Sequence, residues 1–154
     1  MKKVSKIKNY TSDVGVDKSL WIIKKRLVGA GASHIAEFYN EEEHSLEGIL
    51  FQIKVNGNYV TYKLPSSVND VRDYFLSAIK KEHRGTRERV VEQALKTAWK
   101  LLADWVDIQI SMIEVGKKDF QELFFQYAYS QVKDKTVYEM LQNNYINNLL
   151  EEHK

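Results

Sequence analysis

Between Thr86 and Val115 apolar residues recur every three to four positions, the period of an α-helix. At roughly 100° per residue, Ala94, Ala98, Trp99, Leu102, Trp105, Val106 and Met112 lie within an apolar arc covering more than half of the circumference. Glu92, Gln93, Lys96, Lys100, Asp104 and Asp107 occupy the remainder. A surface helix needs a stripe only slightly wider than about 100°. The pattern therefore predicts a long central helix packed from two sides, by its own domain and by a second copy of the chain. A homo-oligomer, in the simplest form a dimer, is the corresponding expectation.

Upstream the pattern is shorter in period. Val4 to Thr11 alternates imperfectly and reads as a first strand. Asp17 is placed to cap a helix running to about Val28, with Leu20, Ile23 and Leu27 on its buried face and Gly29 and Gly31 as stop signals. Ser33 to Tyr39, rich in β-branched and aromatic residues, reads as a strand, and Asn40 to Ser45 as a polar loop.

The sharpest local signal is Asn56-Gly57, a pair suited to the two positive-φ positions of a type I′ hairpin turn. With those two residues in the turn, Val55 opposes Asn58, Ile53 opposes Val60, Phe51 opposes Tyr62 and Ile49 opposes Leu64. The other face pairs Lys54 with Tyr59, Gln52 with Thr61 and Leu50 with Lys63. A slip of one residue would turn a whole apolar strand face to water, so this register is strongly specified. Pro65 ends the second strand because it has no amide hydrogen for a ladder.

Ser66 or Ser67 is the expected cap of a helix carrying Val71, Tyr74, Phe75, Ala78 and Ile79 and ending near Glu82. Gly116 is the expected stop of the long helix. Asp119…Glu122 and Thr136…Glu139 have capping-box spacing, which predicts helices over about Asp119–Tyr129 and Lys135–Glu151. The order β-α-β-β-β followed by helices gives an α+β fold with a small antiparallel sheet. At 154 residues with one proline and no linker-like segment, the chain reads as a single domain, its sheet part in about residues 1–65 and its helical part in 66–154.

Composition narrows the chemistry. With no cysteine, disulfides, thiolate metal sites and a cysteine nucleophile are excluded. The first residues are charged with no apolar stretch behind them, and no window approaches the roughly 20 apolar residues of a membrane span. A cytoplasmic protein that engages no membrane is expected. His34, His44, His83 and His153 fall in different elements without ligand spacing, so no metal and no cofactor is expected. No serine sits in a G-x-S-x-G elbow. Gly29-Ala30-Gly31 follows a helix and precedes a strand, the reverse of a phosphate-cradling loop.

Four features remain. Lys80, Lys81, Arg84, Arg87 and Arg89 crowd one helix-helix junction, and Arg87 and Arg89 lie in the first turn of the long helix, where free amides also favour an anion. Such a corner can contact nucleic-acid phosphates, or be a solvated corner neutralised by Glu82, Glu88 and Glu92. Glu41-Glu42-Glu43 is a solvated tip or a site for a basic partner. Gln109 falls within the apolar arc, as a packing glutamine or a ligand contact. Phe120, Phe124 and Tyr127, spaced i, i+4, i+7, read as a packing face ahead of a base-stacking one.

Asn9-Tyr10-Thr11, Ala30-Gly31-Ala32, Leu64-Pro65, Ala98-Trp99, Asp104-Trp105-Val106, Gln109 and Phe124-Phe125-x-Tyr127 together resemble a widespread family of small proteins encoded by bacteriophages and prophages. The likeness runs from about Tyr10 to Tyr129, and the A-W-x-x-x-x-D-W-V-x-x-Q run is its most specific part. The resemblance implies a viral protein without assigned enzymatic activity, of a kind found among phage replication and recombination functions. It marks Trp99, Trp105 and Gln109 as signature positions, and we take them as candidates for a partner interface. Where the family often carries proline after the long helix, this chain has Gln126, which removes the residue that would bend it.

The sequence thus leads to a non-enzymatic accessory protein of the host-cell cytoplasm that binds nucleic acid through Lys80, Lys81, Arg84, Arg87 and Arg89. The alternative is an inhibitor of a host defence complex, such as a CRISPR effector, that presents its acidic loop to a basic channel.

Overall fold

In the computed structural model, which describes residues 7–116, 118–142 and 145–151, the elements in chain order are α1 (Val16–Gly29), β1 (Ala32–Tyr39), β2 (Leu46–Val55), β3 (Asn58–Pro65), α2 (Val68–Ser77) and α3 (Thr86–Glu114). Then come α4 (Phe120–Phe124), a 3-10 turn over Phe125–Tyr127, the two-residue strands β4 (Tyr129–Ser130) and β5 (Lys135–Thr136), α5 (Val137–Leu141) and α6 (Tyr145–Glu151). This is an α+β fold built on the antiparallel sheet β1-β2-β3.

The hairpin has the register its alternation demands. Ile53 faces Val60, Phe51 faces Tyr62 and Ile49 faces Leu64. Asn56 and Gly57 both take positive φ, 49° and 85°, as a type I′ turn requires. On the opposite face Gln52 Nε2 donates to Thr61 Oγ1 at 3.2 Å.

The width of the apolar arc on α3 has an intramolecular cause. Trp99, Ala103, Val106 and Ile110, spaced i, i+4, i+7, i+11, join one core with Leu20, Ile23 and Leu27 of α1 and with Ile49, Phe51, Tyr62 and Leu64 of the sheet. A second stripe, Ala94, Ala98 and Leu101, packs on Val71 and Phe75 of α2 and on Ile7. Two flanking helices therefore occupy the two sides, and the arc's width no longer calls for a second copy. What it leaves in water is a narrow stripe of Ile108, Met112 and Val115.

The aromatics of α4 and the 3-10 turn close the end of this core. Phe120 and Phe124 stack with centroids 4.1 Å apart, Phe51 and Tyr62 stack at 5.2 Å, and Trp105 meets Phe124 and Tyr127 edge-on at 5.2 and 5.4 Å. They are packing residues, as their helical spacing implied.

Several local expectations are corrected. Ile7–Thr11 is a turn rather than a strand, while Val4–Lys6 lie outside the described residues. Its backbone is committed elsewhere, with Tyr10 N donating to Ile7 O and Ser12 N to Asn9 O. Gly15, not Asp17, takes the N-cap position of α1, leaving Asp17 in the first turn. Ser67 does precede α2 but in a left-handed conformation, with no side-chain capping bond. That helix stops at Ser77 rather than near Glu82. The stretch expected to form one helix over Lys135–Glu151 is a β4–β5 hairpin end, α5 and α6. Its capping box is nevertheless formed, with Thr136 Oγ1 accepting from Glu139 N and Glu139 Oε1 from Thr136 N.

Candidate nucleic-acid interface

The corner between α2 and α3 is shaped by the early stop of α2. After Ser77 the chain turns through bends to Gly85, which holds φ at 83° where a side chain would be strained, and α3 starts at Thr86. Thr86 N donates to His83 O at 3.0 Å, and His83 N to Thr86 Oγ1 at 3.3 Å. No side chain caps the first turn of α3.

Lys80, Lys81, Arg84, Arg87 and Arg89 are all exposed along this segment. Glu82 lies 3.7 Å from Arg87, with both side chains largely in water, and Arg89 Nε donates to Gly85 O at 3.4 Å. Glu92 is engaged by Lys96 on the same helix at 3.7 Å and does not neutralise the corner. Residues 80–89 hold five of the 23 basic residues and two of the 21 acidic ones, which leaves 18 against 19 elsewhere. The chain's entire formal excess of positive charge thus sits in this corner.

Beside the corner opens a cleft of about 570 Å³ between the N-terminal turn, the end of α2 and the start of α3. Tyr10, Phe75, Ala78, Ile79 and Val90 give it an apolar lining, and Thr86, Arg89 and Gln93 a polar one. Arg89 belongs to both features, joining the basic corner to the cleft. Gln93 is fixed from behind, its Nε2 donating to Ser12 O at 2.9 Å and to Thr97 Oγ1 at 3.3 Å.

This cleft was not apparent from sequence. Ala78 and Ile79 follow the helical period of Val71 and Phe75 and read as its continuation, Tyr10 read as part of a strand, and Gln93 as part of a solvated face. The only local signal was the density of charge and glycine after Ile79, which opposes continuing the helix to Glu82.

The other candidates resolve differently. Trp99 has no exposed surface and sits at the centre of the core, so it is a packing residue and not part of a partner interface. Trp105 is half-buried, with its ring committed to Phe124 and Tyr127. Gln109 is also half-buried, between the two apolar stripes of the arc. The A-W-x-x-x-x-D-W-V-x-x-Q run therefore records how α3 packs more than what it contacts.

In the acidic loop, Asn40 Oδ1 accepts from the amides of Glu42 and Glu43 at 2.9 and 2.8 Å, and Glu43 lies 3.7 Å from Arg72 of α2. One of its three charges is thus partly answered from within. His34 is bonded to Ser33 and meets Tyr59 edge-on, His44 and His83 are exposed, and His153 lies outside the described residues. Among the described residues no group of three histidine, aspartate or glutamate side chains is placed to hold a metal ion. No described helix is long and apolar enough to cross a membrane.

No protein-family model matches the chain, and no curated protein or solved structure is significantly similar to it.

Proposed function

We propose that this chain is a non-enzymatic binding protein whose target is nucleic acid, gripped through its phosphates at the α2–α3 corner. The observation that carries the reading is the gathering of the chain's positive excess into Lys80, Lys81, Arg84, Arg87 and Arg89, all exposed, with Glu82 lying 3.7 Å from Arg87. A charge pattern of this kind supplies sequence-independent affinity for phosphate that falls with salt. The resemblance of the α3 run to phage-encoded proteins supports an accessory role in phage replication or recombination inside the host cell.

Fluorescence anisotropy with labelled single- and double-stranded oligonucleotides at 50 and 200 mM salt tests it. Binding at low salt that weakens at least tenfold at high salt, and weakens again in the Lys81→Ala, Arg84→Ala double variant, is the expected result. No binding at low salt, or binding indifferent to those substitutions, overturns it. The partly answered charge of the acidic loop favours this reading over an inhibitor that presents Glu41, Glu42 and Glu43.

A further inference from the structure

We infer that the cleft beside the basic corner receives an unpaired base, making the preferred ligand a single strand or a flipped-out nucleotide. This inference rests on the corner's being a phosphate-binding surface.

Arg89 lines the cleft while belonging to the corner. A polyanion held at the corner and at Arg89 meets an apolar wall made by Tyr10, Phe75 and Ile79. Phosphate and sugar gain nothing from such a wall. A base does, because its face is apolar and stacks on aromatic rings, and every base has such a face.

The volume, about 570 Å³, falls within the roughly 300 to 1,000 Å³ of small-ligand sites. A duplex keeps its bases stacked inside the helix and cannot present one here unless it is opened.

Gln93 adds the polar contact that a base requires and an aliphatic side chain does not. Its Nε2 is spent on Ser12 O and Thr97 Oγ1, which turns its Oε1 toward the remaining acceptor role, suited to an exocyclic amino group or a ring N–H. The charge on the rim selects an anionic chain, and the wall and the amide select one that carries bases.

The test compares four labelled ligands at low salt on the unmodified protein: an intact deoxy-oligonucleotide, its ribo counterpart, a strand of the same length with abasic sites, and a duplex. Intact single strands of one or both sugars should bind about fivefold to a hundredfold more tightly than the abasic strand and the duplex. A strand carrying 2-aminopurine should change its emission on binding. The Ala78→Phe variant, which fills the cleft, should lower affinity for the intact strand to that for the abasic one. Its melting temperature shows whether the fold is kept, and the comparison of ligands on the unmodified protein needs no variant. Equal affinity for intact, abasic and duplex ligands overturns the base site and leaves the phosphate-binding corner standing. No binding of any of the four overturns both.

Discussion

Asn9 and Asp104, 95 residues apart, are joined by a hydrogen bond of 2.8 Å from Asn9 Nδ2 to Asp104 Oδ2, which fastens the N-terminal turn to the middle of α3. The same turn is held from its backbone, since Thr97 Oγ1, fully buried, donates to Asn9 O at 2.8 Å. Lys100 and Lys8 add charge at 2.7 and 3.5 Å from the carboxylate. Asn9 takes φ of 64°, a conformation that asparagine tolerates better than most residues. Tyr10 follows directly, so this clamp positions one wall of the cleft.

Removing the carboxylate should therefore cost more than a surface charge does. A hydrogen bond to a partly buried charge contributes about 1.5 to 3 kcal/mol, and Asp104→Ala should lose roughly 2 kcal/mol. For a chain of this size that lowers the melting temperature by about 4 to 8 °C, measurable by circular dichroism. Lys118→Ala, which breaks an exposed pair with Glu122, should change it by less than about 2 °C. Equal effects of the two would show that the clamp is not a stabilising contact.

The same carboxylate makes stability depend on pH. Burial pushes Asp104 upward, but the hydrogen bonds from Lys100 and Asn9 and the charges of Lys100 and Lys8 outweigh it and hold the group below its ordinary value. Glu37 is held low as well, by hydrogen bonds from Lys24 and Tyr39. With folded values below the unfolded ones of about 4, both contributions are complete above that range. They are lost as the pH falls through the lower folded values. Urea midpoints should thus be flat from neutral pH down to about 5 and fall below 4, with a smaller fall in an Asp104→Asn, Glu37→Gln variant. The same steepness in wild type and variant would assign acid sensitivity to other groups.

Gly48 and Gly29 allow one substitution to act in opposite directions. A Cβ at Gly48, within β2, would run into the carbonyl oxygen of Leu64 on β3 and the ring of Phe38 on β1, and the carbonyl is backbone that cannot step aside. Gly48→Ala should cost about 3 kcal/mol by overpacking. At Gly29, the last residue of α1, the added carbon meets nothing, and Gly29→Ala should stabilise by about 0.5 kcal/mol through the unfolded chain. Denaturant midpoints of the two variants check both signs.

What could be read along the chain followed from local rules that the tertiary structure had no reason to override. The hairpin register rests on one turn pair and eight alternating residues, and α3 on a period sustained over eight turns. What could not be read depends on contacts between distant segments. Ile7–Thr11 has strand-like composition, yet its atoms bond to Thr97 and Asp104, partners that no window around residue 9 contains. The stop of α2 at Ser77 is of the same kind, because Ala78 and Ile79 keep the helical period while their backbone closes on Phe75 and Leu76 in tighter turns. Since the cleft is made from these two misread segments, the basic corner was visible in the sequence and its neighbour was not.

If the corner binds through local charge rather than through the net charge of the protein, position must matter at constant charge. Lys81→Glu with Arg84→Glu and Lys133→Glu with Lys135→Glu change the net charge equally, and the second pair is exposed on the β4–β5 hairpin, Lys133 in its turn and Lys135 at the start of β5. Each phosphate contact contributes about 0.7 to the slope of log affinity against log salt for a single strand. The corner variant should therefore lower that slope by roughly 1 to 1.5 and bind at least tenfold more weakly at 100 mM salt, while the turn variant keeps the wild-type slope within about 0.3. Salt titrations followed by anisotropy measure both. Equal losses in the two variants would mean that the charge acts at long range and that the corner is not the contact surface.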